Sequence, residues 1–460
     1  MSRSDNDVDY SIHMQRPGTA VSLFSSGGIG DLALRAAGYE ILVSNELLEE
    51  RHSLFKYNFP EAESLTGDIW SMVDRIESAV RRRLEGQPLN LLYATPPCQG
   101  MSKNGRGKLL SEVRAGRKPP LDERNRLIVP TMELASRLRP EVLLFENVPE
   151  MADTIVVDGN GEAVQIVELI RRTLGPEYVG GAATVEFADY GVPQRRQRLI
   201  TIFSRTECMR RWWESERSFL PAPTHSQAGR DGTRRWVSVR EAIGSLPPLD
   251  AATRVAAKSS LPFHRVPLLD AVKYWWVCNT KPERSAFDNQ CVSCGWDRNP
   301  THIAGRDASG VNRASTLTPL YCERCGKMLP RPSVERAGQP SIMRGFTSAY
   351  KRMSFDRPAS ALTRNLSYAC SDNKLHPEQH RVLSLHEAFE LHTISRYDYE
   401  WKRRDGRRVS DKTIREVIGE SVPPAGLQCI LEHLNRVHRG SFPAVRDAGF
   451  LFAAQPVGMS

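Results

Sequence analysis

Along the N-terminal half of the chain, short apolar runs closed by glycine, proline or an acid alternate with longer amphipathic stretches. The run Ala20-Val21-Ser22-Leu23-Phe24 predicts a strand. Ser25-Ser26-Gly27-Gly28-Ile29-Gly30-Asp31 predicts a tight turn, residues 32–38 a helix closed by Gly38, and residues 39–46 a second strand ending on Glu46. Thr66-Gly67-Asp68-Ile69 marks a further strand edge, ahead of a helix around residues 73–84. Leu91-Leu92-Tyr93-Ala94 is short and wholly apolar, as a buried strand is, and Pro96 and Pro97 stop it because proline cannot donate to a ladder. A helix is predicted from Asp122 to Leu138, a buried strand over residues 142–145, and a further strand over residues 199–203. Strands alternating with helices in this way predict an α/β, doubly wound domain.

The chain has 460 residues, 40% of them hydrophobic, enough for two or three domains with sizeable cores. No run approaches the apolar length of a membrane span, and the polar start of the chain lacks a signal-peptide core. The net charge of +9 permits a polyanionic partner without requiring one. Nine cysteines, with two tight pairs and no secretion signal, favour thiols and metal sites over disulfides. These features together predict a cytoplasmic protein with no membrane partner.

Cys98 follows Tyr93-Ala94-Thr95-Pro96-Pro97 at a strand end, where an open α/β sheet places its chemistry. A thiolate there is a strong nucleophile; the competing reading is a buried structural thiol. The loop after it, residues 101–118, is basic and glycine-containing, suited to closing over a phosphate backbone. Glu146 ends the next apolar strand, and a carboxylate at a central strand end is costly to bury without a task. Cys98 and Glu146 are therefore expected at the same sheet edge. The glycine turn followed by Glu46, about twenty residues on, has the layout of a nucleoside-binding βαβ unit with a ribose-binding carboxylate. Asp68 is suited to an adenine amino group or, alternatively, to capping the helix near Trp70. Arg196 and Arg198 alternate at a strand start and so share a face, from which guanidinium forks reach a carboxylate or a base carbonyl.

Taken in order, these stretches resemble the C5-cytosine DNA methyltransferases. Phe24-Ser25-Ser26-Gly27-Gly28 resembles the cofactor-binding first motif, Pro97-Cys98-Gln99 the nucleophile motif, Glu146-Asn147-Val148 the acid motif, and Gln194-Arg195-Arg196-Gln197-Arg198 the Gln-x-Arg-x-Arg motif. Asp122-x-Arg124-Asn125-x-Leu127 is similar to the helix between nucleophile and acid. Arg381-Val382-Leu383-Ser384-Leu385-His386-Glu387 and Gly419-Glu420-Ser421-Val422-Pro423-Pro424 resemble the last two motifs. The sequence departs from the family at Ser26 and Ile29, where glycines are usual, and at Glu420, where asparagine is usual. The resemblance implies a Rossmann-like methyltransferase sheet and S-adenosyl-L-methionine as cofactor, held by Phe24, Ser25, Gly27, Gly28, Glu46, Asp68, Ile69, Pro97, Leu127 and Ser421. It implies catalysis by Cys98 as nucleophile, Glu146 as acid at N3, Arg198 at O2 and Arg196 in support of the thiolate. It also implies a flipped-out cytosine in double-stranded DNA as substrate, a monomer, and cognate restriction or defence components as partners.

The methyltransferase pattern stops between residues 251 and 355, where Cys291-Val292-Ser293-Cys294-Gly295 and Cys322-Glu323-Arg324-Cys325-Gly326 stand. Two Cys-x-x-Cys-Gly pairs predict zinc knuckles forming one structural four-thiolate site of Cys291, Cys294, Cys322 and Cys325. Cys278 is left over, beside Tyr274-Trp275-Trp276, which reads as packing. The division expected is a tail over 1–17, a catalytic domain over 18–250, a smaller irregular target-recognition domain inserted over 251–380, a return segment over 381–440 with a helix at 414–418 and a turn at Gly419, and a tail over 441–460. Two alternatives stay open: an RNA cytosine-5 methyltransferase of the same chemistry, and a non-catalytic DNA-binding relative.

Overall fold

The structure is a computed structural model that describes residues 18–97, 126–157, 163–302, 304–306, 312–314, 317–343, 347–371 and 373–440. A seven-stranded sheet is built from β1 (Gly18–Leu23), β2 (Tyr39–Glu46), β3 (Glu63–Thr66), β4 (Leu91–Ala94), β5 (Val142–Asn147), β6 (Val179–Glu186) and β7 (Gln197–Ser204), in the order β3-β2-β1-β4-β5-β7-β6. The first five strands run parallel, and β7 is antiparallel to both β5 and β6. The order reverses between β1 and β4, so the crevice beyond their C-terminal ends is where a ligand fits such a sheet.

Strand residues divide by period two between the faces. Leu91, Tyr93, Leu144 and Ile200 pack into one buried cluster; Leu92, Ala94, Leu143, Phe145 and Leu199 pack into the other. The second face is covered by α3 (Ile69–Leu84), α4 (Ile128–Leu138) and α5 (Ile166–Leu174). The first is covered by α1 (Ile29–Ala36), part of α2 (Glu49–Asn58) and, from the far end of the chain, α8 (Leu385–Leu391), α9 (Asp411–Glu420) and α10 (Pro424–His438). The C-terminal helices therefore complete the core that the N-terminal strands begin. Tyr39 on β2 donates to Asn435 on α10 at 2.5 Å across this seam.

A third buried cluster gathers Leu249, Val266, Trp276, Phe287, Tyr350, Leu375 and Val382, around α7 (Ala271–Cys278), and a fourth is made of Cys291, Cys322 and Leu329. Helix α6 (Glu207–Glu216) lies between the sheet and this region in the chain. Trp276 packs edge-on to Tyr350 at 5.4 Å, so the aromatic run around it serves packing.

Two expectations are corrected. Helix α1 starts at Ile29, so Ile29, Gly30 and Asp31 belong to its first turn; Gly28, left-handed at φ 84, ends the glycine turn early. Gly419 lies inside α9 and does not turn. Its α-carbon is packed so closely on the 363–364 backbone that an added Cβ would lie 2.3 Å from the Arg364 amide nitrogen. The glycine signals a close approach of two segments, which a local pattern does not distinguish from a helix stop.

Candidate active site

The crevice is assembled from the exits of β1, β4 and β5. Leaving β1, Phe24 (φ 59) and Ser26 (φ 49) both adopt left-handed backbone, which curls the turn back over the sheet edge. Glu46, at the end of β2, fixes the turn: its carboxylate accepts from the Ser26 amide at 2.8 Å and from the Leu48 amide at 2.9 Å, and it is 6% exposed. Tyr399 donates to the Gly27 carbonyl at 2.6 Å from the C-terminal segment. At the exit of β4, the Thr95 amide and hydroxyl donate to the carbonyls of Leu23 (3.2 Å) and Phe24 (3.0 Å). At the exit of β5, Asn147 Nδ2 donates to the Pro96 carbonyl at 3.0 Å. The three strand ends are thus bonded to one another, and the proline turn leading to position 98 is held against both.

A cavity opens among Ser25, Ser26, Ile29, Tyr93, Thr95 and Glu146 on the sheet side, and Val417, Glu420, Ser421 and Val422 on the side of α9. Glu146 is buried, and Arg198 Nε lies 2.6 Å from its Oε1. The pair is a close charge contact rather than an aligned bond, since Oε1 has no hydrogen-bond donor directed at it among the described residues. Burial pushes the Glu146 pKa above the usual carboxylate range, against the pull of Arg198 and Arg196. The site therefore favours a carboxyl group able to keep and donate a proton.

Arg196 sits differently from Arg198. Its guanidinium is buried and donates to the carbonyls of Leu362 and Gly419, each at 2.9 Å. The expected carboxylate contact belongs to Arg198, through Nε, while Arg196 ties the stretch ahead of β7 to residues 362 and 419. Gln194, likewise buried, accepts from the Leu362 amide at 3.0 Å and donates to His392 Nδ1 at 3.0 Å; His392 Nε2 is 3.0 Å from the Ser421 hydroxyl. Burial, with Arg196 and Arg198 nearby, pushes His392 well below its usual pKa, so the neutral ring passes one hydrogen bond from Gln194 on to Ser421.

The remaining expected residues divide between the cavity and its surroundings. Phe24, Ser25, Gly27, Gly28, Glu46 and Ser421 come together at or around the turn. Asp68 caps α3, accepting from the Trp70 amide at 3.1 Å, with the rest of its exposed carboxylate open to solvent. Ile69 is buried in the second cluster and Leu127 packs against it. Pro97 is described and half-buried; Cys98, the 101–118 loop and Asp122 to Asn125 lie outside the described residues. Sequence reasoning missed Asp31, Tyr93, Arg51 and His392. Of these Asp31 carried a local signal, an acid inside an apolar helical run.

Residues 18–236 match the model of the C-5 cytosine-specific DNA methylase family. The matched stretch, which holds every strand of the central sheet, belongs to that family. It is 27% identical over 425 residues to the type II methyltransferase M1.HgaI of Avibacterium volantium, covering 90% of this chain and 96% of that one. It is 24% identical over 456 residues to the type II methyltransferase M.AgeI of Thalassovita gelatinovora, covering 88% and 96%. The fold is similar to that of the Entamoeba histolytica methyltransferase EhMeth, with a TM-score of 0.50 at 12% identity, over 91% of this chain and 98% of that one. The departures from the family pattern are held in the structure by defined contacts. Ser26 takes the left-handed backbone usually left to glycine, and Glu420 is held by Arg51 at 2.5 Å, with Arg364 at 3.6 Å.

The matched region ends before the cysteine pairs. Cys291, Cys294, Cys322 and Cys325 bring their sulfurs within 4.8 Å of one another. The contacts resolved are 3.5 Å (Cys294–Cys291), 3.6 Å (Cys291–Cys325) and 3.7 Å (Cys294–Cys322). Those spacings exceed a disulfide and approach the roughly 3.8 Å between ligands of a tetrahedral ion with ~2.3 Å bonds to sulfur. Gly295 and Gly326 both sit at φ 69, the left-handed position a knuckle needs. The amides of Cys294 and Ser293 hold the Cys291 thiol below its usual pKa, which favours the thiolate a metal requires.

Proposed function

We propose that this protein is a DNA cytosine-5 methyltransferase of the restriction-modification type, acting on a cytosine flipped out of double-stranded DNA. The observation that carries the reading is the buried Glu146–Arg198 pair facing the glycine-turn cavity, within the stretch that matches the family. Cys98 adds to C6 of the base. Glu146 supplies a proton at N3, and Arg198 offsets charge at O2, so that C4–C5 becomes an electron-rich enamine. S-adenosylmethionine, when bound, supplies an electrophilic methyl group. Phe24, Ser25, Gly27, Gly28, Glu46, Asp68, Ile69, Pro97, Leu127 and Ser421 would hold it, and the buried Ser26 hydroxyl, without a partner among the described residues, marks a polar wall suited to it. A base then removes the C5 proton and Cys98 leaves. None of these groups reaches a base inside a duplex, so extrusion is required. Arg196 acts at one remove, through the Gly419 and Leu362 backbone.

The four-cysteine cluster holds one structural zinc ion, with all four positions taken by protein sulfur. Residues 251–380 form the target-recognition domain and residues 381–440 return to the catalytic domain over 18–250. The enzyme works as a cytoplasmic monomer, alongside a cognate nuclease or other defence component. No helix among the described residues is long and apolar enough to cross a membrane.

The deciding experiment is single-base methylation sequencing of DNA from cells expressing the wild type or Cys98→Ala. New 5-methylcytosine in one short context, absent from the variant, is expected. Methylation found only in RNA, or none beside intact cofactor binding, overturns the reading in favour of an RNA enzyme or a non-catalytic relative.

A further inference from the structure

Asp31 is a buried acid of the cavity that the reaction does not use. It lies in the first turn of α1, is 1% exposed, and lines the cavity together with Ser25, Tyr93, Glu146 and Ser421. Its Oδ1 has no hydrogen-bond partner among the described residues. The other acids of the cavity each face an arginine: Glu146 faces Arg198, and Glu420 faces Arg51. Asp31 has no such partner within ion-pair distance among the described residues. The cation on its own helix, Arg35, is turned to the Asn58 and Asp398 carbonyls at 2.9 and 3.0 Å. An acid buried in an apolar helical stripe, with an open lone pair and no described counter-ion, is costly to keep. Leucine or asparagine would fold there more cheaply.

We propose that Asp31 is the counter-ion for the cationic methionine half of the cofactor, and that it sets the preference of this cavity for a charged nucleoside ligand over an uncharged one. The inference rests on the reading of the cavity as the S-adenosylmethionine site. That ligand carries an ammonium and a sulfonium, and Asp31 is the acid of the cavity left to meet either. The groups that face Asp31 are Ser22 on β1, Arg35 on α1, Tyr93 on β4 and Tyr399 from the C-terminal segment, with Glu146 and Glu420 across the cavity. Burial dominates among them and pushes the Asp31 pKa up to about 7, although Ser22, its own amide and Arg35 pull it down. Near neutral pH the carboxyl is thus part-protonated, and an arriving cation drives the proton off.

The test is calorimetric binding to the full-length protein, with S-adenosylmethionine and with 5′-methylthioadenosine, which keeps the nucleoside thioether but lacks both cationic groups and the carboxylate. Asp31→Asn is expected to weaken S-adenosylmethionine 10- to 100-fold and to leave methylthioadenosine within twofold. S-adenosylhomocysteine, which keeps the ammonium and carboxylate but lacks the sulfonium, weakens in parallel if the ammonium is the partner and is unchanged if the sulfonium is. Repeating the wild-type titration near pH 7 in two buffers of different ionisation enthalpy gives a second readout that needs no variant. Proton release with S-adenosylmethionine, and none with methylthioadenosine, is expected. Equal affinity of wild type and Asp31→Asn for S-adenosylmethionine, an equal loss for methylthioadenosine, or absence of proton release overturns the proposal. A wild type that binds neither ligand instead sinks the cofactor reading itself.

Discussion

Glu146 and Asp31 are both buried acids, and burial raises the pKa of each, but their consequences separate experimentally. In the proposed mechanism Glu146 acts through its protonated form. Glu146→Gln should therefore lower kcat by roughly 10²–10⁴ while DNA affinity in a filter-binding assay is kept. Wild-type turnover should also fall as pH rises through the raised pKa of Glu146, because the proton needed at N3 is then lost. Asp31 acts on stability in the ligand-free protein. The unfolded chain loses this proton near the ordinary value of 3.8 and the folded chain only near about 7, so folding stability declines as pH rises between the two. Asp31→Asn removes that decline. Chemical denaturation should find the variant more stable by on the order of 2–4 kcal/mol at pH 8 and little changed at pH 4. A smaller effect is expected at Ser26, a non-glycine residue at φ 49. Ser26→Gly should raise stability by about 0.5–1 kcal/mol if the Glu46 contact to its amide survives; a loss would mean that the orphan hydroxyl has a role the backbone does not replace.

At the scale of elements, the site depends on contacts between segments far apart in the chain. Arg196 and Gln194, from the stretch ahead of β7, hold Leu362, Gly419 and His392, and these in turn hold α9 and Ser421 against the cavity. Gly419 is the tightest point of this arrangement. In Gly419→Ala the new methyl group would meet backbone atoms of Thr363 and Arg364 at 2.7 and 2.3 Å, so the segments must separate. We expect a loss of about 1–3 kcal/mol in thermal or chemical unfolding together with weaker cofactor binding; unchanged values of both would show that the seam is loose. The motif Gln-x-Arg-x-Arg was legible in the sequence, but its division of labour was not. Period-two alternation puts Arg196 and Arg198 on one face, whereas Arg196 falls between two strands and turns into the C-terminal segment. The basic run Arg81-Arg82-Arg83 was legible as a solvated face, and its members pair with Glu77, Glu63 and Glu40.

Across the whole molecule, the cysteine cluster and the catalytic crevice lie in separate hydrophobic clusters, which makes their stabilities separable. Purified protein should contain about one zinc per chain by elemental analysis. Cys322→Ser, or a chelator, should release it and expose the 291–329 region to protease, while wild-type cofactor affinity is retained. A metal-free protein with a protected cluster would falsify the zinc assignment. The sequence by itself determined β1, β2, β4, β5 and β7 with most of α1, α3 and α4, the acid and arginine motifs, the family resemblance and the two Cys-x-x-Cys pairs, because each is written in local periodicity or in fixed spacing along one stretch; β6, α2, α5 and α6 were not read from it. The tertiary structure decided which arginine faces Glu146, why residue 419 is glycine, and that Asp31 shares a cavity with Glu146 and Ser421. Those facts depend on residues far apart in the chain meeting across the sheet edge, and burial and desolvation exist only once they meet.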